Sequence, residues 1–484
     1  MLTRLLSSRG RVDPARRAAF LAAHPEYPLE LDRIRAREYP HLDAEGRVYL
    51  DYTGSGLPAR RQLTAAAGRL LGGVYGNPHT ESPASAVSTE LVNAARARVL
   101  RHLNAAPEEY AVVFTQNATG ACRLVGEAYA FEPDSRLVLT FDNHNSVNGL
   151  REFARSGGAT VEYVPLRPDL RLDRVALEEA LAMDRPGRRL FAYPAQSNFS
   201  GVRHPLELVE LAQARGYEVL LDAAAYLPTN SLDLSAHRPE YVPVSFYKMF
   251  GYPTGVGALV VRRDALRRLA RPWFSGGTIW GVSVRGDWHR LAGDETAFED
   301  GTLNFLAIPD VSVGLDWLAE VGVDRVRERV RCLAEWLVRG LTGLTHSDGR
   351  PLAEVYGPLA GADRGATVVF NLLDPAGRWV DERAVARDAS RAGISVRTGC
   401  FCNPGAAEVA FELGADELDS EMFHRRPYTL EEYLKLVGMD TGGAVRVSLG
   451  LPSDLGDVEA LLRFAAGYRD RFTDLTGLVP RERC

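Results

Sequence analysis

Short apolar runs alternate with helical stretches between residues 110 and 261, and this pattern constrains the fold more than any other feature of the sequence. Stretches such as 174–184 and 205–216 have helical periodicity. The apolar runs are rich in β-branched residues and are predicted to be buried strands at 110–114, 136–141, 159–164, 189–193, 217–221, 241–246 and 257–261. Few hairpin signals separate them, so the pattern predicts an α/β fold with a mainly parallel seven-stranded sheet. Such sheets bind ligands at the carboxyl ends of their strands.

The periodicity changes after about residue 310. A long helical region, 311–342, is followed by separated strands at 366–373, 394–398 and 444–449, and by a closing helix capped by Ser453 or Asp454. This predicts a large domain at 36–310 and a smaller α+β domain at 311–484. Residues 1–35 are helical and arginine-rich, and are expected to pack against the small domain.

The overall composition is that of an ordinary soluble protein and excludes several classes of partner. The formal net charge of −6 argues against binding to nucleic acid or to an anionic membrane. No apolar run reaches the length of a membrane span. Five cysteines are too few for a disulfide framework in 484 residues, which favours a reducing compartment and a cytoplasmic location.

Lysine is almost absent from this chain. Of 57 basic residues only Lys248 and Lys435 are lysines, and Lys248 lies between an apolar strand and a glycine-rich turn. Lys435 belongs to an amphipathic segment, where a solvated helix face is the simpler interpretation. A carboxylate, Asp222, ends the preceding apolar strand, and a buried carboxylate is costly unless a cation pairs with it.

Other polar residues follow the strands of the predicted sheet. At 117–120 a strand leads into a helix, and free backbone N–H groups there, with the Thr119 hydroxyl, suit a phosphate as well as they suit a plain helix cap. Further candidates at strand ends are His144, Gln196, Ser197, Asn198, Ser245 and Tyr247.

Together these residues predict a pyridoxal-phosphate site. Lysine forms a Schiff base with the aldehyde of the cofactor, and an aspartate keeps the pyridine nitrogen protonated so that the ring withdraws electrons. Each feature is weak by itself, and the ordered set is specific.

The sequence resembles the fold-type I pyridoxal-phosphate enzymes of the class V aminotransferase group. Within that group it is most similar to cysteine desulfurases and to the desulfurase domain of molybdenum cofactor sulfurases. The resemblance covers residues from about 46 to about 470 and rests on the motifs at 48–58, 74–79, 117–121, 144–147, 197–201, 220–224, 245–259, 298–305, 396–406 and 445–450. The string GCFCNPG at 399–405 is typical of the sulfurase branch.

The resemblance implies a role for each cofactor-binding residue. Lys248 would be the Schiff-base lysine, Asp222 would pair with the pyridinium, and His144 would stack on the ring. Thr302 would reach the phosphate of a second subunit, which implies a homodimer. The phosphate of the same subunit would be held by Ala118, Thr119, Ser245 and Tyr247.

The resemblance also implies how L-cysteine is bound. Arg446 would grip the substrate carboxylate with a bidentate fork. Asn198 would lie near the cofactor's phenolic oxygen or near the substrate carboxylate. One departure concerns Ala225, which stands where desulfurases carry a glutamine that donates to the phenolic oxygen; Gln196 is a candidate to compensate.

Cys400 and Cys402 lie in a segment flanked by glycine and proline, typical of an irregular or mobile loop. Half of a zinc site and two incidental thiols are the alternatives, but no second pair at ligand spacing accompanies them. Related desulfurases carry their nucleophile three residues after the RTG motif, at Cys402. We therefore expect Cys402 to accept the sulfur, with Cys400 as an auxiliary thiol and Arg397 as a group that favours the Cys402 thiolate.

These features predict a pyridoxal-phosphate-dependent cysteine desulfurase that makes alanine and a Cys402 persulfide. The alternatives are another reaction of this cofactor (C–S β-lyase, selenocysteine lyase or aminotransferase) and a non-catalytic dimeric scaffold. The sequence shows no counterpart of the sulfurases' C-terminal domain, so we expect a separate sulfur-acceptor protein or biosynthetic enzyme that docks near residues 400–440. Residues 406–443 have no clear family pattern, and we consider a lid or a partner surface.

Overall fold

The structure is a computed structural model that describes residues 10, 12–78, 80–183, 186–361, 363–414, 429, 431–432, 434, 438–439 and 441–479. The strands are β1 Val48–Tyr49, β2 Tyr110–Thr115, β3 Arg136–Thr140, β4 Thr160–Val164, β5 Arg189–Pro194, β6 Glu218–Asp222, β7 Tyr241–Ser245, β8 Gly257–Arg262, β9 Ile279–Ser283, β10 Trp288–Leu291, β11 Ala353–Tyr356, β12 Thr367–Leu372, β13 Ile394–Ser395, β14 Arg397–Gly399 and β15 Ala444–Ser448.

Helices connect these strands and cover both faces of the larger sheet. They are α1 Pro14–Ala23, α2 Glu30–Glu38, α3 Pro40–Ala44, α4 Arg60–Gly72, α5 Pro83–His102, α6 Ala118–Ala128, α7 Asn145–Asn148, α8 Leu150–Ser156, α9 Arg174–Ala182, α10 Leu208–Gln213, α11 Phe246–Phe250, α12 Arg263–Arg268, α13 Ile308–Val321, α14 Val323–Thr342, α15 Glu382–Arg391, α16 Pro404–Ala410 and α17 Leu455–Ala466. A 3₁₀ helix covers Glu295–Phe298. No helix in the described ranges is both long enough and apolar enough to cross a membrane.

The large sheet has seven strands in the order β2-β8-β7-β6-β5-β3-β4, which confirms the predicted fold class. β8 runs antiparallel to β2 and β7, while β7, β6, β5, β3 and β4 pair in parallel. Side chains alternate between two buried clusters: Val112 and Val138 face one, and Val113 and Leu139 face the other. Because helices bury both faces, the strands are continuously apolar in the sequence.

A four-stranded antiparallel sheet, β11-β12-β15-β14, forms the core of the C-terminal part. The sequence pattern missed β11 and the β9–β10 hairpin. The helical region predicted at 311–342 consists of α13 and α14, which Gly322 separates at a positive φ of +87°. A left-handed residue ends a helix, and glycine adopts that conformation without steric cost.

The described part of the N-terminal segment contacts α14 and α17 through buried arginines. Arg35 donates from Nη1 to Asp457 Oδ2 at 2.7 Å, and Arg329 donates from Nη2 to Asp32 Oδ1 at 2.7 Å. Asp454 caps α17 and accepts a hydrogen bond from the backbone of Asp457, as one of the two predicted caps. The domain boundaries at residues 35 and 310 stay predictions.

Candidate active site

The carboxyl ends of β5, β6 and β7 line a cavity of about 290 Å³. Their last residues, Pro194, Asp222 and Ser245, form one wall, and the beginning of α6 forms another. Eight predicted site residues line this cavity: Ala118, Thr119, His144, Asn198, Asp222, Ser245, Tyr247 and Lys248. The topology therefore gathers at one sheet edge residues that are up to 130 positions apart in the chain (118 to 248).

Lys248 lies on α11, the short helix that follows β7 directly. Burial lowers the pKa of Lys248, and the nearby Arg446 cation acts in the same direction. The carboxylates of Asp222 and Asp51 and the sulfur of Cys402 oppose this lowering of the pKa. A lysine with a lowered pKa holds more of its neutral amine, which is the form that attacks a carbonyl carbon.

Asp222 ends β6 and is 8% exposed. Its Oδ1 accepts a hydrogen bond from the backbone N–H of Ala224 at 3.0 Å. Burial raises the pKa of Asp222, while that hydrogen bond and Lys248 lower it. A buried carboxylate of this kind gains most from a cationic partner in the cavity, such as a protonated pyridine ring.

The imidazole of His144 lines the cavity, and its surroundings favour the neutral form. Its Nδ1 accepts a hydrogen bond from the backbone N–H of Ser146 at 3.1 Å and lies 2.9 Å from Ser146 Oγ. Burial lowers the pKa of His144 to about 4, and the positive charges of Lys248 and Arg446 contribute to this lowering. A neutral ring fixed by its own backbone suits stacking on an aromatic cofactor.

The amino end of α6 supplies donors for a phosphate. Asn117 caps this helix, and Thr119 Oγ1 lies 2.7 Å from Ser146 Oγ. A Cβ at Gly257 would lie 2.6 Å from the backbone of Asn117. Glycine at 257 therefore permits β8 to lie this close to the beginning of α6. The end of an eleven-residue helix with two hydroxyls beside it is a suitable anion site.

Thr302 lies outside this cavity. Its Oγ1 accepts a hydrogen bond from Asn77 Nδ2 at 3.2 Å, and it lines a neighbouring cavity of about 580 Å³. Gln116, Asn117 and Gly255 line both cavities, so Thr302 adjoins the phosphate end. Its predicted role in a second subunit stays a prediction.

Arg446 lies in the middle of β15 in the smaller sheet, and its positive charge helps to lower the pKa of two cavity residues, Lys248 and His144. It is 4% exposed, and its Nη1 donates to the backbone oxygen of Asn198 at 2.9 Å. Its Nη2 donates to Asp51 Oδ1 at 3.1 Å. Its Nε has no hydrogen-bond partner among the described residues, and a buried N–H of this kind is suited to a carboxylate ligand.

Cys402 is an exposed free thiol on a loop that is anchored at several points. Phe401 and Cys402 adopt left-handed backbone angles, φ +58° and +54°. The carbonyl oxygen of Phe401 accepts from Asn198 Nδ2 at 2.8 Å, and that of Cys402 accepts from Asn145 N at 2.8 Å. Cys400 takes part in a disulfide, so the auxiliary thiol expected at Cys400 is not free in this structure, and Cys402 is the free thiol of the pair. The loop is irregular, as expected, and these bonds fix its position.

Gln196 lies beside Ala225, the departure noted in the sequence. Gln196 Nε2 donates to the carbonyl oxygen of Ala225 at 3.0 Å, and both residues line the cavity. Gly365 permits this position, because a Cβ there would lie 2.2 Å from Gln196 Oε1. Compensation by Gln196 stays a prediction.

Sequence reasoning missed three residues that the structure places at the site. Asp51 bonds Arg446, Ser146 bonds His144, and Asn403 bonds Asn198. Each lies inside or beside a motif quoted above, but its role depends on contacts across distant segments. Lys435 lies outside the described residues.

The donor set fits pyridoxal phosphate, because an amine, a carboxylate, a neutral ring and a phosphate site surround one cavity. Fold and site thus define a fold-type I pyridoxal-phosphate enzyme. The chain belongs to the class-V aminotransferase family, whose model matches residues 48–461. This confirms the predicted family and cofactor.

Relatives and solved structures extend this comparison. The molybdenum cofactor sulfurase of Arabidopsis thaliana is 34% identical over 480 residues, covering 91% of this chain and 58% of the relative. The molybdenum cofactor sulfurase of Homo sapiens is 35% identical over 468 residues, covering 91% of this chain and 52% of the relative. The chain therefore spans between half and three fifths of these relatives.

The fold is also that of two solved cysteine desulfurases. The apo enzyme from Thermococcus onnurineus NA1 has a TM-score of 0.75 and 23% identity, covering 90% of this chain and 97% of that one. The S-sulfonic acid form from Escherichia coli has a TM-score of 0.71 and 21% identity, covering 90% and 98%.

Proposed function

We propose that this protein is a cysteine desulfurase that converts L-cysteine to L-alanine and keeps the sulfur as a persulfide on Cys402. The observation that carries the proposal is the anchored loop, which carries the exposed free thiol of Cys402 and is bonded through the Phe401 carbonyl oxygen to Asn198 on the cavity wall. The sulfurase relatives and the desulfurase neighbours support it.

Each of these residues has a separate role in the reaction. Bound pyridoxal phosphate supplies an electron sink for negative charge at the substrate Cα. Arg446 binds the substrate carboxylate, and Asp222 holds a proton on the pyridine nitrogen. The Lys248 amine takes the α-proton and returns it to the product.

Cys402 performs the sulfur transfer. Its thiolate attacks the substrate sulfur, so that an S–S bond forms while the bond from sulfur to the substrate Cβ breaks. The electron pair of the broken bond stays with the carbon skeleton, which takes up a proton and leaves as alanine. No external oxidant or reductant is needed.

The test is incubation of the holoenzyme with L-cysteine, with alanine and sulfide measured and the persulfide mapped by mass spectrometry. We expect alanine and a persulfide on the Cys402 peptide. Cys332→Ser is the control, because Cys332 is buried on α14, away from the cavity. Pyruvate and ammonia without a persulfide would indicate β-elimination, and no cofactor absorbance would indicate the scaffold.

We further propose a homodimer in which Thr302 serves the partner's phosphate site. Large exposed apolar side chains on the β9–β10 hairpin support this proposal, because a partner subunit would cover them: Trp280 is 71% exposed and Val284 is 94% exposed. Mixed dimers of Lys248→Ala and Thr302→Ala chains test it. If Thr302 acts across the interface, each hybrid regains one complete site; if it acts within its own chain, activity does not return.

A separate sulfur acceptor and a cytoplasmic location complete the proposal. Of the segment expected to dock the acceptor, residues 400–414 are described, with α16 directly after the Cys402 loop, and most of 415–440 lies outside the described residues. A pull-down with persulfide-loaded enzyme, followed by sulfur-transfer assays on captured proteins, tests the acceptor. Cell fractionation tests the location.

A further inference from the structure

The carboxylate of Asp51 lies between two guanidinium groups, those of Arg446 and Arg397. Its Oδ1 accepts from Arg446 Nη2 at 3.1 Å. Its Oδ2 accepts from Arg397 Nη2 at 2.6 Å and from Arg397 Nε at 3.1 Å. The side chains of Asp51 and Arg446 are 12% and 5% exposed, whereas that of Arg397 is 51% exposed.

The chain holds Asp51 in this position by a tight turn. The backbone oxygen of Asp51 accepts hydrogen bonds from the N–H groups of Gly54 and Ser55, each at 3.0 Å. A Cβ at Gly54 would lie 2.6 Å from Asp51 Oδ2 and 2.7 Å from Arg397 Nη2. Glycine at 54 is therefore what allows the Asp51 carboxylate and the Arg397 guanidinium to meet.

The charges of this cluster nearly balance. Two guanidinium cations and one carboxylate leave a single net positive charge (2 − 1). One substrate carboxylate at the free Nε of Arg446 would neutralise it. A second negative charge on the substrate would find both arginines already engaged and would face the Asp51 carboxylate, which repels it.

We propose that Asp51 is a specificity-determining residue, which restricts this site to amino acids with one carboxylate and an uncharged side chain. It holds Arg446 in position and cancels the charge that would otherwise favour acidic amino acids. The inference rests on the proposed function only in that Arg446 receives the substrate carboxylate.

The test is the binding of two unreactive probes to the holoenzyme, L-alanine and L-aspartate, measured from the change in visible absorbance of the bound cofactor. Asp51→Asn keeps the size of the side chain and removes its charge. We expect the ratio of the two dissociation constants to shift toward L-aspartate by about tenfold or more. Asp51→Glu, which restores the charge, should return the ratio toward that of the wild type.

Asp363→Asn is the matched control, because Asp363 also pairs with an arginine, but with Arg171 and not with Arg446. Its ratio should equal that of the wild type. If Asp51→Asn fails to fold, Arg397→Gln tests the same charge balance at a half-exposed position, and its ratio should shift away from L-aspartate by about tenfold.

The inference would be overturned if the ratio of the two dissociation constants stayed unchanged in the Asp51 and Arg397 variants. An equal shift of that ratio in Asp363→Asn, or a wild type that binds neither probe, would overturn it as well. The probes are not desulfurated, so these outcomes are separate from alanine production from L-cysteine, which tests the proposed function.

Discussion

Asn403 donates a hydrogen bond from Nδ2 to Asn198 Oδ1 at 2.8 Å, which joins the residue after Cys402 to the wall of the cofactor cavity. The same nitrogen donates to the backbone oxygen of Asp142 at 2.6 Å, and Asn403 Oδ1 caps α16 by accepting from Ala406 N. Asn403 is fully buried. One amide thus fixes both the Cys402 loop and the helix that follows it.

Asn403→Ala should release this loop without emptying the cofactor site. Loss of buried hydrogen bonds costs about 1–3 kcal/mol, so we expect a modest fall in thermal stability. We expect normal cofactor content, a persulfide yield lowered at least about fivefold, and faster alkylation of Cys402 by iodoacetamide. A persulfide yield equal to that of the wild type would show that the anchor is not needed.

Lys248→Ala should abolish both turnover and the covalent link to the cofactor. Borohydride reduction followed by peptide mass spectrometry measures that link. Because the sequence has one other lysine, Lys435, the assignment is unambiguous. A reducible adduct in the variant would refute the role of Lys248.

Cys402→Ser should keep cofactor binding and the spectral response to L-cysteine but lose persulfide formation. Cys400→Ser removes the disulfide-bonded cysteine two positions away and should retain much of the activity. Equal alanine production by Cys402→Ser and the wild type would favour one of the alternative reactions of the cofactor.

Arg446→Lys should weaken L-cysteine binding while the resting absorbance stays unchanged. A lysine cannot reproduce the fork geometry, and a charge-assisted hydrogen bond contributes roughly 1.5–3 kcal/mol. We therefore expect the apparent dissociation constant for L-cysteine to rise more than about tenfold. An unchanged constant would remove Arg446 from the substrate site.

His144 should make the folded protein less stable in acid. Its folded-state pKa of about 4 lies below the ordinary value of 6.5, so the unfolded chain takes up a proton first as pH falls. The stability that the protein gains from keeping His144 neutral is therefore fully present above pH 6.5. It is lost as the pH falls from 6.5 to about 4. Comparing the pH dependence of unfolding in the wild type and in His144→Phe separates the effect of His144 from that of other titrating groups.

We expect His144→Phe to lose less stability than the wild type between pH 7 and 4, by no more than about 3 kcal/mol. Urea unfolding at several pH values measures this. Parallel losses in the two proteins would show that His144 is protonated in the folded state.

The sequence predicted the large sheet well because buried parallel strands leave a strong local signal. It also located Lys248 and Asp222 at strand ends, since a rare lysine and a buried carboxylate stand out. It did not identify Asp51 or Asn403, because their partners are 395 and 205 positions away. The hairpin β9–β10 was missed because its exposed tryptophans do not follow a core pattern.

Asn198 connects the two halves of the molecule through three bonds. It follows β5 of the large sheet, yet it binds Phe401 and Asn403 of the Cys402 loop and Arg446 of the smaller sheet. Any hinge opening of the smaller sheet must break these bonds together. A displacement that carried the smaller sheet away from the large one would therefore move Arg446 and the Cys402 loop from the cavity wall together.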